Sequence, residues 1–287
     1  MCGRYTIAHN HKEIMERFGI EQMFLELDPR YNVAPSQMVP VVIETKATDD
    51  MPAVRVLETS KWGLVPGFVQ DAKLIKPMIN ARGETLLEKR MFKNALFKRR
   101  CLIPADGFFE WMAVGKKRQP VRFQVTDGAL FAMAGLYEER TTPEGELIER
   151  TCTIITVAAN EKVSPVHSRM PAILKPDDEA LWLSKECGDP EKLLSLLNPY
   201  DNDAINFYRV SATVNNARSD SAECIAPVDL EAEAAAEAAT MAAFEEAKAA
   251  RAAKTATRRA KSTKVAETSD VPEQAYLSDE LRELNQN

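Results

Sequence analysis

No two of this chain's five cysteines stand at C-x-x-C spacing, so its cysteines suggest neither a zinc site nor a redox pair. They are odd in number and scattered (Cys2, Cys101, Cys152, Cys187 and Cys224), which fits a reducing compartment better than a disulfide framework. The N-terminal stretch MCGRYTIAHNHKEIM carries no apolar h-region, so it is not read as a secretory leader. No apolar run is long enough to cross a membrane, and no glycine-rich loop offers to cradle a phosphate. A cytoplasmic protein, nucleoid-associated if bacterial, is the expectation. No cofactor and no metal are expected. Positive charge is not in excess either: the net charge is -6, which argues against a surface generally sticky to nucleic acid but leaves room for a local basic groove. Two basic runs, KRMFKNALFKRR and KKRQPVR, would form one if they converged. Glycine, at 11, is outnumbered by proline, at 16, as in a chain with many irregular connections.

What is present divides at about Pro227. Beyond it runs an Ala/Glu/Lys-rich segment, without glycine until the end and nearly without aromatics, whose buriable face is mostly alanine. Residues 230–287 are therefore expected to be a helical or disordered tail, and 1–229 a single domain. Within that domain AVRVLETS, VRFQV, LFAMAGLY, CTIITV and INFYRV read as short strands, with Val121, Phe123 and Val125 alternating against Arg122 and Gln124. HKEIMERFG, ETLLEKRMFKNALF, DDEALWLSK and PEKLLSLLN read as helices. Strands and helices do not alternate regularly, which predicts an α+β fold with a mainly antiparallel, curved or barrel-like sheet and peripheral helices.

The cysteine at position 2 is the oddest residue. Chain ends are usually exposed and frayed, a poor place for a thiol to pack. Removal of Met1 would give Cys2 a free α-amine beside its thiol, a 1,2-aminothiol. Glu110, in IPADGFFEWM, is crowded by aromatic and methionine side chains; in an extended chain Phe108, Glu110 and Met112 share a face, and burial there would raise the carboxyl's pKa to make a general acid. Asn80 and Arg82, in INARGET, would point the same way from a strand, though asparagine there also suits a turn. Arg4 is likewise two residues from Cys2. Histidine numbers three, and His167, in SPVHSRMPAIL, is the one beyond the N-terminal His9 and His11. Trp62, in KWGLVPGF, either stacks on a base or fills the core.

Taken together, MCGRYT, YNVAPSQ, KWGLVPGF, INARGET, RRCLIPADGFFEW and HSRMPAIL resemble the SOS-response-associated peptidase family, the abasic-site processing proteins, from Cys2 to about Asp229. The resemblance implies a DNA-damage-response protein that binds single-stranded DNA at an abasic site and cross-links to it through Cys2 as a thiazolidine. It further implies peptidase and lyase activity, and a monomer with repair or replication partners the sequence does not name. On this resemblance Glu110 is the acid/base, His167 holds the sugar hydroxyl and shuttles a proton, and Asn80 positions the amine or opened sugar. Arg4, Arg82 and Arg169 hold phosphates, and Trp62 stacks beside the lesion. Phe68 stands where the family often has tryptophan, which bears on a stacking contact. Ser168 stands where an acidic residue is common, which bears on how His167 is oriented. An N-terminal-nucleophile hydrolase or amidotransferase and a non-covalent single-strand binder remain as alternatives.

Overall fold

The structure, a computed structural model, describes residues 2–20, 22–23, 27–48, 52–69, 74–229, 239, 242–243 and 245–250. In chain order the first elements are β1 (Tyr5–Ile7), α1 (His11–Phe18), β2 (Gln22–Met23), β3 (Arg30–Val33), β4 (Met38–Glu44), β5 (Arg55–Trp62) and β6 (Asn80–Arg82). Then come α2 (Arg90–Lys98), β7 (Arg100–Ala105), β8 (Gly107–Val114), β9 (Lys117–Val125), β10 (Phe131–Thr141) and β11 (Leu147–Ala158). β12 (Arg169–Pro171), β13 (Ile173–Leu174), α3 (Pro176–Leu183), α4 (Pro190–Ser195) and β14 (Ile205–Arg209) complete the fold.

Two sheets result. One is antiparallel, in the order β14-β9-β8-β1-β3. The other closes on itself: β5 pairs with β4, β4 with β7, β7 with β10 and β10 with β11, all antiparallel, and β11 returns to β5 in parallel register at Thr151–Lys61 and Cys152–Trp62. Closure leaves these five strands without free edges. The architecture is α+β with a mainly antiparallel, barrel-like core, as the sequence predicts. One apolar core joins both sheets, taking Val41, Leu102, Met133 and Ile154 from the closed one and Phe108 and Phe123 from the other. Phe108 and Phe123 stack with centroids 5.1 Å apart, a cross-strand pair of the kind that fixes register.

Local signals account for the helix ends. At α1 Asn10 and Glu13 form a reciprocal capping box, and Gly19 ends the helix at φ 61°, where a residue without a Cβ is at ease. The helix expected over ETLLEKRMFKNALF begins only at Arg90. Its first part is a 3-10 turn, Gly83–Thr85, followed by a connection that buries Leu86, and Glu84 in that turn is held by Arg169. Such tertiary contacts are not written in periodicity.

The chain divides into two units, Met1–Val228 and Asp229–Asn287. In the second, residues 245–250 are helical, with Lys248 3.6 Å from Glu245. The expected tail, 230–287, otherwise lies almost wholly outside the described residues. Among the described residues no helix is long and apolar enough to cross a membrane.

Candidate active site beside the N-terminal strand

β1 carries the cysteine, and its register decides what the cysteine meets. Tyr5 lies opposite Phe108 and Thr6 opposite Gly107, and the Phe109 amide donates to the Arg4 carbonyl at 2.9 Å. Continuing the antiparallel count places Gly3 across from Glu110, so Cys2 passes the buried carboxyl. A polar clamp fixes this register. Asp106 accepts from the Thr6 hydroxyl, from the Ala8 amide at 2.5 Å and from Arg122 Nη2 at 2.8 Å, and it meets His9 Nδ1 at 3.0 Å. Burial raises the Asp106 pKa, but His9, Arg122, Thr6 and the Ala8 amide outweigh it and hold the carboxyl below its ordinary value. Gly107 is required here: a Cβ would stand 2.6–2.9 Å from the Arg122 guanidinium.

The second sheet brings the other candidates. β6 runs parallel to β11, with Asn80 opposite Ile154 and Arg82 opposite Thr156; β12 pairs with the same strand, Arg169 opposite Ala158. Asn80 Nδ2 donates to the Cys2 carbonyl at 2.9 Å, while its Oδ1 is buried without a hydrogen-bond partner among the described residues. Asn80 therefore holds the residue bearing the nucleophile and keeps one acceptor in reserve. His167 follows a turn and precedes β12; its Nδ1 lies 2.9 Å from the Arg169 N–H and 3.1 Å from the Arg169 carbonyl.

Electrostatics tie these groups together. Cys2 has no exposed surface, and its Sγ donates to the Arg4 carbonyl at 3.8 Å. With Met1 still attached, burial pushes its thiol up to about 12, with the Glu110 charge adding to the rise and the Met1 ammonium opposing it. Glu110 is 6% exposed; burial lifts its carboxyl to about 7 against the pull of the same ammonium. His167 falls below its ordinary value through burial first and that ammonium second. A carboxyl poised near neutrality beside a neutral thiol is an arrangement suited to proton transfer.

The basic residues are placed less simply. Arg82 is exposed, and its guanidinium makes no hydrogen bond or ion pair among the described residues. Arg4 is partly committed: Nη1 donates to Asn32 Oδ1 at 2.7 Å and to the Val214 carbonyl at 2.8 Å, and the guanidinium sits 5.9 Å from the Trp111 ring. Arg169 grips both oxygens of Glu84. Three arginines of the two basic runs are committed internally: Arg99 pairs with Glu138, Arg100 donates to the Trp182 and Leu96 carbonyls, and Arg122 is buried against Asp106.

Trp62 corrects the stacking expectation. It has no exposed surface, so it has no face to offer a base. Its ring meets Tyr5 edge-on at 5.4 Å and its Nε1 donates to the Ile79 carbonyl at 2.8 Å. It thus braces the strand of Cys2 against the residue before Asn80. Phe68, by contrast, is 61% exposed, with the Arg90 guanidinium 5.2 Å from its ring. Sequence reasoning singled out neither Asn32, which clasps Arg4, nor Glu84. Both lie inside quoted motifs, YNVAPSQ and INARGET, the one signal that marked them.

The chain is similar to known proteins. The family model of the SOS response associated peptidase (SRAP) matches residues 1–217. The abasic site processing protein YoqW of Bacillus subtilis (strain 168) is 43% identical over 228 residues, covering 78% of this chain and 99% of its own. The abasic site processing protein HMCES of Pongo abelii is 32% identical over 275 residues, covering 80% and 77%. Among solved structures, the crystal structure of a protein from Bacteroides thetaiotaomicron superposes with a TM-score of 0.64 at 27% identity, covering 74% of this chain and 93% of that one.

Proposed function

Because the chain belongs to the SOS response associated peptidase family, we propose that it processes abasic sites in single-stranded DNA by cross-linking to them through Cys2. The observation that carries the reading is the meeting of Cys2 with the Asn80 amide and with a buried Glu110 carboxyl whose pKa is about 7. Loss of Met1, by the protein's own peptidase action or another's, frees the Cys2 nitrogen. An α-amine has a pKa of about 8, so roughly a tenth of it is neutral at pH 7.

That amine adds to the C1′ aldehyde of the ring-opened deoxyribose. Glu110, as the acid, protonates the departing hydroxyl, and water leaves as the iminium ion forms, with Glu110 now a carboxylate. The Cys2 sulfur then attacks the iminium carbon. Its proton passes to the Glu110 carboxylate, restoring the acid, while the iminium nitrogen keeps its hydrogen as the ring N–H and a five-membered thiazolidine closes. Aldehyde, amine and thiol have condensed with loss of one water. The thiol, at about 12, does not ionise by itself near neutrality, which is why a base alongside matters. Both nucleophiles come from one residue, so closure has the advantage of proximity.

Asn80 orients the Cys2 backbone and offers Oδ1 to the amine or the opened sugar. His167 handles the sugar hydroxyl. Arg82 is the cation best placed for a phosphate, with Arg4 and Arg169 contributing whatever donors their internal partners leave. The activity belongs to residues 1–229, with 230–287 as an appendage, and the protein acts as a monomer on DNA in the cytoplasm or nucleoid. Lyase cleavage is a side path from the imine.

The test is a single-stranded oligonucleotide with one abasic site, incubated with the purified protein and then denatured. A cross-link that survives heat without borohydride is expected. Cys2→Ala, and a protein with an irremovable residue ahead of Cys2, should both lose it. If either variant still gives the stable adduct, the mechanism is wrong; if wild type gives none, non-covalent binding or amide hydrolysis takes its place.

A further inference from the structure

We propose that Glu84 is a positioning residue for His167, acting through Arg169 and locking the imidazole's segment to the strand that carries Asn80. The starting point is the hold on the imidazole. Its Nδ1 is chelated by the backbone of a single residue, with the Arg169 N–H at 2.9 Å and the Arg169 carbonyl at 3.1 Å. The N–H serves the tautomer in which Nδ1 accepts, and the carbonyl serves the form in which it donates. Either way, the ring's direction follows the Arg169 backbone.

That backbone begins a strand of three residues, β12, paired with β11 at Thr156, Val157 and Ala158. Backbone bonds flank it, from the His167 N–H to the Val163 carbonyl and from the Ala159 N–H to the Ser168 carbonyl, both at 3.0 Å, and the Arg169 side chain adds a further anchor. Nη1 meets Glu84 Oε1 at 2.5 Å and Nη2 meets Glu84 Oε2 at 2.9 Å, a two-pronged ion pair; Nη2 also donates to the Thr156 carbonyl at 2.5 Å. Glu84 stands four residues after Asn80, in the turn that ends β6, and Thr156 lies opposite Arg82 in the β6–β11 ladder. One guanidinium therefore pins three segments: the end of the Asn80 strand, β11 and the start of β12. Its side chain is 16% exposed, an environment in which a cation needs its counter-charge. The Arg169 bond in turn holds the Glu84 carboxyl below its ordinary pKa, so the pair stays ionised at neutral pH. Orientation of His167 thus needs no acidic side chain at position 168, where this chain has serine.

This rests on the cross-linking reading for its kinetic arm only. The experiment compares full-length wild type with Glu84→Ala and Glu84→Gln. Three quantities are read: the single-turnover rate of cross-linking, the affinity for an oligonucleotide carrying a reduced abasic analogue without the aldehyde, and the imidazole ¹⁵N shifts of His167 without DNA. Glu84→Ala should slow cross-linking roughly 10- to 100-fold, the scale of a misplaced reacting group. Affinity should stay within about fivefold. The ¹⁵N shifts should move from one tautomer to an average. Glu84→Gln keeps an acceptor for Arg169 and should fall between, and it decides the matter if the alanine variant does not fold. Tighter binding at an unchanged rate would make Glu84 a stand-in for a phosphate and overturn the proposal, as would unchanged rate and shifts. If wild type forms no adduct the cross-linking reading fails, while the ¹⁵N arm still decides whether Glu84 orients the ring.

Discussion

Replacing Trp62 with phenylalanine separates a core indole from a stacking one. The indole Nε1 donates to the Ile79 carbonyl at 2.8 Å in a site without solvent. Phenylalanine has no N–H, so that carbonyl keeps only the Ile154 N–H at 3.2 Å and loses one of its two partners, at a cost of about 0.5–1.5 kcal/mol. The smaller ring also leaves a void beside Tyr5, worth about 1 kcal/mol more. The total, about 1.5–2.5 kcal/mol, corresponds to a fall in Tm of roughly 3–10 °C for a domain of this size. A base-stacking aromatic would behave otherwise. Its loss would cost about 1–3 kcal/mol per base in binding, a roughly 5- to 150-fold rise in Kd, with little change in stability. Thermal unfolding measured beside fluorescence anisotropy with an undamaged single-stranded oligonucleotide distinguishes the two. We expect the Tm to drop and the Kd to hold. An unchanged Tm with weakened binding would refute the assignment of Trp62 to the core.

Glu110 has its pKa raised by burial, so between about 4.5 and about 7 the folded state binds more protons than the unfolded one; stability should decline as pH rises through that window, and Glu110→Gln should flatten the decline in pH-dependent denaturant unfolding. The same variant should slow cross-linking by ~10²–10⁴-fold while sparing affinity for a reduced abasic analogue, and equal loss of both would make Glu110 a scaffold residue. Asp106→Asn leaves Arg122 buried without its counter-charge and should cost about 3–5 kcal/mol by chemical denaturation; a loss under 1 kcal/mol would show the clamp on β1 to be unimportant. Truncation after Asp229 should leave the cross-linking rate at saturating DNA unchanged, and a folded but inactive truncation would place part of the site in the tail.

The sequence by itself determined the chemistry on offer and much of the frame. A cysteine behind the initiator methionine is a local fact, and so are the alternation of Val121, Phe123 and Val125 and the Asn10 cap of α1. So is the shared direction of Asn80 and Arg82, which needs only an extended chain, and β6 is one. What lies beyond reach of such reading depends on partners far along the chain. Closure of the barrel rests on two residue pairs between β11 and β5. The Glu84 carboxylate, in the turn where a helix is expected, is held by an arginine 85 residues away. Whether an arginine faces outward or the interior is a matter of neighbours: the Arg82 guanidinium has no hydrogen-bond partner among the described residues, Arg4 has Asn32 and Val214, and Arg122 has Asp106. Trp62 looks the same in the sequence whether stacked on a base or packed on Tyr5. Burial decides that, and burial, like the lifted pKa of Glu110, is a property of surroundings assembled from both sheets and carried by no single residue.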